Sequence, residues 1–219
     1  MTRFKDLCVD VSDAREGAAF LAPLLGLDVV EVGPDGAELA DDVAEHTLWV
    51  NVVPEPRTVK NRVHLDVDVA SVEDVLLPGV RVVDDSQPWT VLSGDQVGEF
   101  CAFVRPPERL RRYRLYEVCV DCVDAERVAT WWATQFGVTA QTERGFWWID
   151  GAPGMPWEMV FNNVPEPKTV KNRVHWDVWG STEELVAAGA RVLRHRDDEI
   201  GWDVLADPEG NEFCVFSPR

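Results

Sequence analysis

Basic residues are scarce in this sequence. Its 219 residues include 21 Lys and Arg against 39 Asp and Glu, which gives a formal net charge of −18. Because such a chain repels phosphate backbones, we expect no nucleic-acid partner. Two interpretations of the charge stay open: it serves solubility, or it attracts a cationic ligand.

Long apolar runs are missing as well. No run approaches the roughly 20 apolar residues that a membrane-spanning helix needs. The N-terminal residues MTRFKD lack the apolar stretch of a secretory signal peptide. We therefore expect a cytoplasmic protein without a membrane partner.

Cysteine is too sparse for a disulfide framework. There are five cysteines, an odd number. Four of them lie in apolar, strand-like runs, which predicts buried thiols. Cys119 and Cys122 have the CxxC spacing, but positions i and i+3 of a strand face opposite ways, so a redox or zinc motif is disfavoured.

The sequence does contain a long internal repeat. The eleven residues PEPRTVKNRVH, which begin at Pro54, return at Pro165 as PEPKTVKNRVH. A match of this length indicates duplication of a unit of about 105–110 residues, a usual domain size. We predict a first domain over residues 1–106, a linker over 107–112 and a second domain over 113–219.

Each copy shows the same order of structural signals. A short strand is followed by a helix, with Asp13 and Asp124 as predicted N-caps and Gly26 and Gly137 as predicted C-caps. Three strands follow, and then the whole pattern restarts. The predicted fold class is α+β: two tandem copies, each of two βαβββ modules that form curled mixed sheets around a cavity.

The repeated strand carries a row of polar side chains. Alternation places Arg62, His64 and Asp66 on one face, and Val63 and Leu65 on the other. Copy two repeats this row with Arg173, His175 and Asp177. Two interpretations remain open: a structural hydrogen-bond network, or histidines that contact a ligand or metal and have their tautomer set by a nearby acceptor.

Tryptophan is abundant, with ten residues in the chain. Most lie in copy two, including the consecutive pair Trp147 and Trp148, of which alternation turns one inward and one outward. The tryptophans enlarge the core of copy two, or they form a flat clamp for a planar ligand, where acidic neighbours would also suit a cation. We expect the better pocket in copy two.

These modules, the strand NRVHLDV at residues 61–67 and the segment DPEGNEF at residues 207–213 resemble a known family. They are similar to the vicinal oxygen chelate (VOC) superfamily, in its glyoxalase-like, bleomycin-resistance-like branch. The resemblance covers nearly the whole chain as two tandem glyoxalase-like domains. It implies a cavity between modules that binds a small molecule.

The resemblance also implies candidate metal ligands, one set in each copy. The first set is Asp6, His64 and Cys101, and the second is Glu117, His175 and Cys214. Asn51 and Asn162 lie near the remaining ligand position. No cofactor is certain; a divalent metal, Zn, Fe, Ni or Mn, is the candidate, and a cysteine ligand suits the softer of these ions better.

The leading functional hypothesis is a protein that binds a small planar or aromatic molecule in a cavity, for sequestration or resistance. The candidate ligand-binding residues are His64, Asp66, Asn51, His175, Asp177, Asn162, Trp147 and Trp148. The alternative is a metal-dependent lyase, isomerase or extradiol-type dioxygenase.

A third hypothesis is metal-free acid–base chemistry. His175 and Glu117 are its catalytic candidates, with Asp177 as the alternative carboxylate partner of His175. As for assembly, the resemblance implies a cavity that relatives often build between the chains of a homodimer. Since duplication joins two units covalently, we expect a monomer that acts as a pseudo-dimer, with a homodimer as the alternative.

Overall fold

The computed structural model describes residues 1–217, in which sixteen strands and three α-helices occur. The strands of copy one are β1 (Arg3–Val11), β2 (Asp28–Val32), β3 (Gly36–Ala40), β4 (Leu48–Val52), β5 (Val63–Val69), β6 (Arg81–Asp84), β7 (Thr90–Gly94) and β8 (Gly98–Val104). Those of copy two are β9 (Leu115–Cys122), β10 (Gln141–Glu143), β11 (Phe146–Ile149), β12 (Glu158–Asn163), β13 (Val174–Trp179), β14 (Arg191–Arg194), β15 (Asp203–Ala206) and β16 (Glu212–Phe216). The helices are α1 (Ala14–Leu25), α2 (Ala125–Phe136) and α3 (Thr182–Ala187).

These elements form four successive modules of the predicted βαβββ type. Module 1 contains β1–β4, module 2 β5–β8, module 3 β9–β12 and module 4 β13–β16. In module 2 a short 3₁₀ helix, Val72–Val75, stands in place of the α-helix. Two further 3₁₀ turns cover Ala44–His46 and Pro107–Arg109, the latter in the predicted linker. The predicted fold class is confirmed.

The two long helices begin and end where the sequence predicts. The carboxylate of Asp13 accepts a hydrogen bond from the Glu16 amide, and Asp124 does the same for Arg127, so each satisfies a free N–H at a helix start. Gly26 and Gly137 follow the last helical residues with φ of 73° and 71°, the left-handed conformation that a side chain disfavours.

Each sheet combines modules of both copies. Sheet A has the strand order β14-β15-β16-β13-β1-β4-β3-β2, and sheet B has β10-β11-β12-β9-β5-β8-β7-β6. The antiparallel pair β1–β13 lies at the centre of sheet A, and β5–β9 lies at the centre of sheet B. Sheet A therefore joins modules 1 and 4, whereas sheet B joins modules 2 and 3.

This exchange corrects the expectation that each copy surrounds its own cavity. The proline-containing segments after β4 and β12 cannot continue a ladder, because proline has no amide hydrogen. At each of them the chain passes from one sheet to the other. The strand that follows then pairs with the first strand of the opposite copy, so every inner face is shared between copies.

The helices cover one side of the sheets and bury their apolar side chains there. Leu21 on α1 and its counterpart Trp132 on α2 are both fully buried. Trp132 packs edge-on against Trp176 at 5.0 Å between ring centroids, which gives copy two the bulkier core that one interpretation of its tryptophans predicts. Among the described residues, no helix has the length and apolar character to cross a membrane.

Candidate functional site

The polar row of β5 lies at the centre of sheet B. His64 stands opposite Cys119 on β9, and Asp66 stands between Glu117 on β9 and Cys101 on β8. The alternate residues of β5 face the core and are buried. Strand pairing therefore gathers an imidazole, two carboxyls and two thiols on the side of the sheet that faces away from the helices.

A bulge on β9 adds a further side chain to this cluster. Asp66 pairs with Glu117, whereas the next residue, Val67, pairs with Leu115, so Tyr116 is the extra residue of the ladder. A bulge breaks strict alternation and re-aims side chains. As a result, the consecutive residues Tyr116 and Glu117 both line the same cavity.

The cavity at this cluster has a volume of about 430 Å³. Its aromatic lining consists of Trp89, Phe103, Tyr116, Phe146 and Trp148. Its polar lining includes His64, Asp66, Glu117, Glu158 and Asn162. Apolar walls with a few convergent polar groups are typical of small-molecule sites of this size.

The aromatic wall is held in place by ring contacts. Trp89 stacks on Phe103, with ring centroids 5.6 Å apart and an interplanar angle of 26°. Phe103 in turn meets Tyr116 edge-on at 5.5 Å. The Arg105 guanidinium lies 4.7 Å from the Tyr116 ring centroid, and its Nε donates to Asp68 Oδ1 at 2.7 Å. The wall is thus braced from outside the cavity by an ion pair.

Burial controls the charge of the polar lining. Burial first, and then the Glu117 charge, raises the pKa of Asp66 well above its ordinary value. Burial raises the pKa of Glu117 to about 7, and it lowers the pKa of His64 to about 4. At neutral pH His64 is therefore a neutral imidazole, and burial favours retention of a proton by the carboxyl pair of Asp66 and Glu117.

Several buried polar atoms in this cluster make no hydrogen bond. They are His64 Nδ1, Asp66 Oδ1 and Asn162 Oδ1. His64 Nε2 lies 3.3 Å from Asp66 Oδ1, but this approach does not have hydrogen-bond geometry. Buried polar atoms are almost always paired in proteins, so unpaired ones beside a cavity indicate a place for a ligand or ion.

Sheet A repeats this frame but fills it with its own cation. Asp6 pairs with Asp177 across the central strands, and a bulge makes Lys5 the extra residue, as Tyr116 is in sheet B. The Lys5 ammonium group forms an ion pair with Asp6 and lies 4.0 Å from Asp177 Oδ2. It also lies 4.3 Å from the ring centroid of Phe216.

A tryptophan adds to the filling of sheet A. Trp49 stands opposite Cys8, at the position that Val160 has opposite Cys119 in sheet B. The Trp49 Nε1 donates a hydrogen bond to Asp6 Oδ2 at 3.1 Å. A large ring and a lysine therefore stand where the open cavity has a valine and a tyrosine.

Comparison with known proteins identifies the family. The sequence profile of the glyoxalase-like domain matches residues 6–103 and 117–216. This chain belongs to the glyoxalase-like domain family. The resemblance that the sequence motifs suggested is thereby confirmed, and the match falls on two tandem segments.

Solved structures share the fold of this glyoxalase-like protein at low sequence identity. Glyoxalase I from Zea mays superposes with a TM-score of 0.69 and 12% identity, over 98% of this chain and 92% of that chain. The cppA protein from Streptococcus pneumoniae gives a TM-score of 0.53 and 9% identity, over 99% of both chains. No curated protein sequence matches this chain.

The structure divides the predicted metal-ligand sets of the glyoxalase-like protein differently from the sequence analysis. Asp6 lies in sheet A with His175 and Cys214, and not with His64. Glu117 lies in sheet B with His64 and Cys101. The reason is the exchange of modules, which pairs the first strand of each copy with the polar strand of the other. The catalytic candidates His175 and Glu117 consequently lie in different sheets.

The remaining predicted site residues fall into two groups. Asn162 and Trp148 line the cavity, and Asn162 Nδ2 donates to Cys119 Sγ at 2.8 Å. Asn51 lies in sheet A, as do His175 and Asp177. Trp147 packs against the core, so Trp147 and Trp148 face opposite ways as alternation predicts. The cavity thus uses aromatic residues of copy two, but next to His64 of copy one.

Sequence reasoning missed several residues that line the cavity, namely Tyr116, Glu158, Trp89, Phe103 and Phe146, and it missed Lys5 in sheet A. A bulge is invisible in a pattern of strict alternation, so the sequence pattern indicates no role for Tyr116 or Lys5. The comparison of the two first strands held a signal, because Lys5 and Tyr116 are a non-conservative exchange between positions whose neighbours match well. Glu158 begins β12, where no pattern marks it.

Among residues 1–217, three side-chain groups have the composition of a metal site. They are His64–Asp66–Cys101, His64–Cys119–Asp121 and Cys8–His175–Asp177, each with donor atoms within 4.8 Å of one another. The unpaired atoms of His64 and Asp66 fit the role of donors. Sets with one thiol, one imidazole and one carboxylate suit zinc or iron better than manganese.

Proposed function

We propose that this glyoxalase-like protein binds a small planar or aromatic molecule in the cavity of sheet B and sequesters it. The observation that carries this proposal is the cavity of about 430 Å³, whose aromatic side chains converge with buried, unpaired polar atoms. Stacking of a ligand ring on each aromatic side chain adds about 0.5–1.5 kcal/mol beyond the burial of apolar area. The polar groups would set the orientation of the ligand.

A matched pair of variants tests this proposal. Trp89 and Trp202 occupy equivalent stacks on Phe103 and Phe216, but only Trp89 lines the open cavity. Thermal-shift screening with a broad panel of planar compounds should give stabilising ligands for the natural protein. Trp89→Leu should lose the shift and Trp202→Leu should keep it. A panel without a stabilising compound, or equal loss in both variants, would count against the proposal.

The second candidate function is a metal-dependent lyase, isomerase or extradiol-type dioxygenase. It is favoured by the His64–Asp66–Cys101 group and by the structural likeness to glyoxalase I. A bound divalent metal would act there as a Lewis acid that polarises adjacent substrate oxygens. The protein itself would supply Glu117, whose raised pKa suits proton transfer near neutral pH, and the aromatic wall that orients the substrate.

Metal content decides this second candidate. Protein produced with supplementary zinc, iron, nickel or manganese should retain close to one ion per chain in elemental analysis, and titration with zinc should give saturable heat. His64→Ala should abolish uptake, whereas His175→Ala in sheet A should preserve it. A substoichiometric metal content that is the same in the natural protein and in both variants would rule out a metal-dependent enzyme.

We also infer a monomer that acts as a pseudo-dimer in the cytoplasm. The shared sheets support the monomer, because one chain already supplies both partners of each central strand pair. Light scattering at low micromolar concentration should give the mass of one chain, 24.6 kDa. A mass twice as large that persists on dilution would contradict it.

A further inference from the structure

The inner faces of sheets A and B have residues at equivalent positions, and these residues differ in one charge. In both sheets a bulge places an extra side chain beside the central carboxyl pair: Lys5 in sheet A and Tyr116 in sheet B. The surrounding positions correspond between sheets as Asp6 with Glu117, Asp177 with Asp66, Phe216 with Phe103, and Trp202 with Trp89.

In sheet A this frame encloses an ammonium ion that belongs to the chain. The Lys5 side chain is 18% exposed; it pairs with Asp6, and Asp177 approaches it from the neighbouring strand. The Phe216 face completes the enclosure at 4.3 Å, a distance at which a ring attracts a cation. Two carboxylates and an aromatic face thus form a working ammonium site.

In sheet B the same frame has no cation. Within the described part of the chain, no lysine or arginine nitrogen comes within 4.0 Å of the carboxyls of Asp66, Glu117 or Glu158. Arg105 is the nearest stacked cation, and its guanidinium is bound to Asp68 instead. Asp66 is only 4% exposed, lines the cavity and has an oxygen without a hydrogen-bond partner.

We propose that the cavity of sheet B binds an organic ammonium ion, whose charged group takes the place that the Lys5 ammonium group has in sheet A. This rests on the proposed function, since it names the class of ligand for the same cavity. The ammonium group lies against Asp66, Glu117 and the face of Phe103. The cavity volume of about 430 Å³ leaves room for one ring, which stacks toward Phe146 and Trp148.

Three related probes, of which the first two have the same size, separate charge from shape. 2-Phenylethylammonium, 2-phenylethanol and 3-phenylpropanoate carry one ring on a short chain and end in a cation, a neutral group and an anion. Calorimetric titration of the full-length protein should give a dissociation constant for the ammonium about tenfold or more below that of the alcohol, with the carboxylate weakest. One ammonium should bind per chain.

Matched variants test whether the preference for the ammonium probe depends on the carboxyls of sheet B. Glu117→Gln should reduce ammonium binding to the level of the alcohol, whereas Asp6→Asn, the same change at the equivalent position in sheet A, should leave it unaltered. Tyr116→Lys should supply an internal cation and abolish ammonium binding. If Tyr116→Lys does not fold, as judged by circular dichroism, the Glu117→Gln and Asp6→Asn pair still decides.

The outcomes distinguish the ligand class from the cavity itself. Equal binding of all three probes overturns the ammonium proposal while the proposed small-molecule function survives. Binding of the ammonium that Glu117→Gln does not change also overturns it, since the cation then binds elsewhere. If no probe binds at millimolar concentration, the ammonium proposal falls, and the panel of planar compounds decides separately whether the cavity binds anything.

Discussion

Removal of the Lys5 ammonium group is the most direct stability test of sheet A, whose inner face contains this cation. The substitution Lys5→Met keeps an unbranched side chain that is one atom shorter and deletes its charge. Lys5, Asp6 and Asp177 have side chains only 18%, 12% and 8% exposed, so both carboxylates lose their cation in a largely dry environment. The free energy of unfolding should therefore fall.

The magnitude follows from the cost of an unpaired buried charge. Breaking a buried ion pair by removing one partner costs about 3–5 kcal/mol. Partial exposure and proton uptake by Asp177, whose pKa burial already raises, reduce this loss to about 2–3 kcal/mol. For a chain of this size, that corresponds to a decrease in melting temperature of about 5–10 °C.

Urea denaturation followed by tryptophan fluorescence measures the loss, and a double-mutant cycle assigns it. Lys5→Met combined with Asp6→Asn removes the lysine and its closest carboxylate, leaves only Asp177 without a cation, and should recover part of the stability that Lys5→Met alone loses. A loss below about 1 kcal/mol, or a double variant no more stable than Lys5→Met, would refute the view that this lysine serves as an internal counter-ion.

Two further predictions concern the fold. Trp132→Leu, which gives α2 the residue that α1 has at its equivalent position, should cost about 2–4 kcal/mol in urea denaturation, because it leaves a cavity and removes the indole donor to Asp207. Burial acts to raise the pKa of Asp41, but hydrogen bonds from His46 and the Val43 amide outweigh it and hold that pKa below the ordinary 3.8. Asp41 therefore contributes stability above pH 3.8 that is lost as the pH falls through the lowered pKa, so the stability difference between the natural protein and Asp41→Asn should narrow there.

The sequence predicts the modules well because their signals are local. Asp13 and Gly26 cap a helix through groups within one turn of its ends, and alternation along β5 separates Val63 and Leu65 from His64. The long repeat fixes which positions correspond between copies. Neither the local patterns nor the repeat specifies which strands pair with each other, so they could not predict the exchange of modules between sheets.

Local sequence patterns also do not predict whether the inner face of a sheet is open or filled. It depends on side chains that neighbour one another only across strands, such as Trp49 opposite Cys8 and Val160 opposite Cys119. It depends further on two bulges, since only a bulge lets Tyr116 share a face with Glu117. Once the strand register is known, Lys5 and Tyr116 are seen to occupy equivalent bulges beside the central carboxyls. The sequence alone shows only that the two copies differ at this position.

Divergence of the two halves has a physical basis in this shared construction. Because sheet B takes His64 from copy one and Glu117 from copy two, each inner face depends on residues of both copies. A change at one first strand alters one sheet only, so Lys5 could fill sheet A while Tyr116 left sheet B open. Lys5 compensates carboxylates in sheet A, although His175 Nδ1 and Asp177 Oδ1 make no hydrogen bond there either. In sheet B, within the described residues, no lysine or arginine compensates Asp66 and Glu117, and burying carboxyls without a cation is costly. The persistence of the open face at that cost is what a binding role would explain.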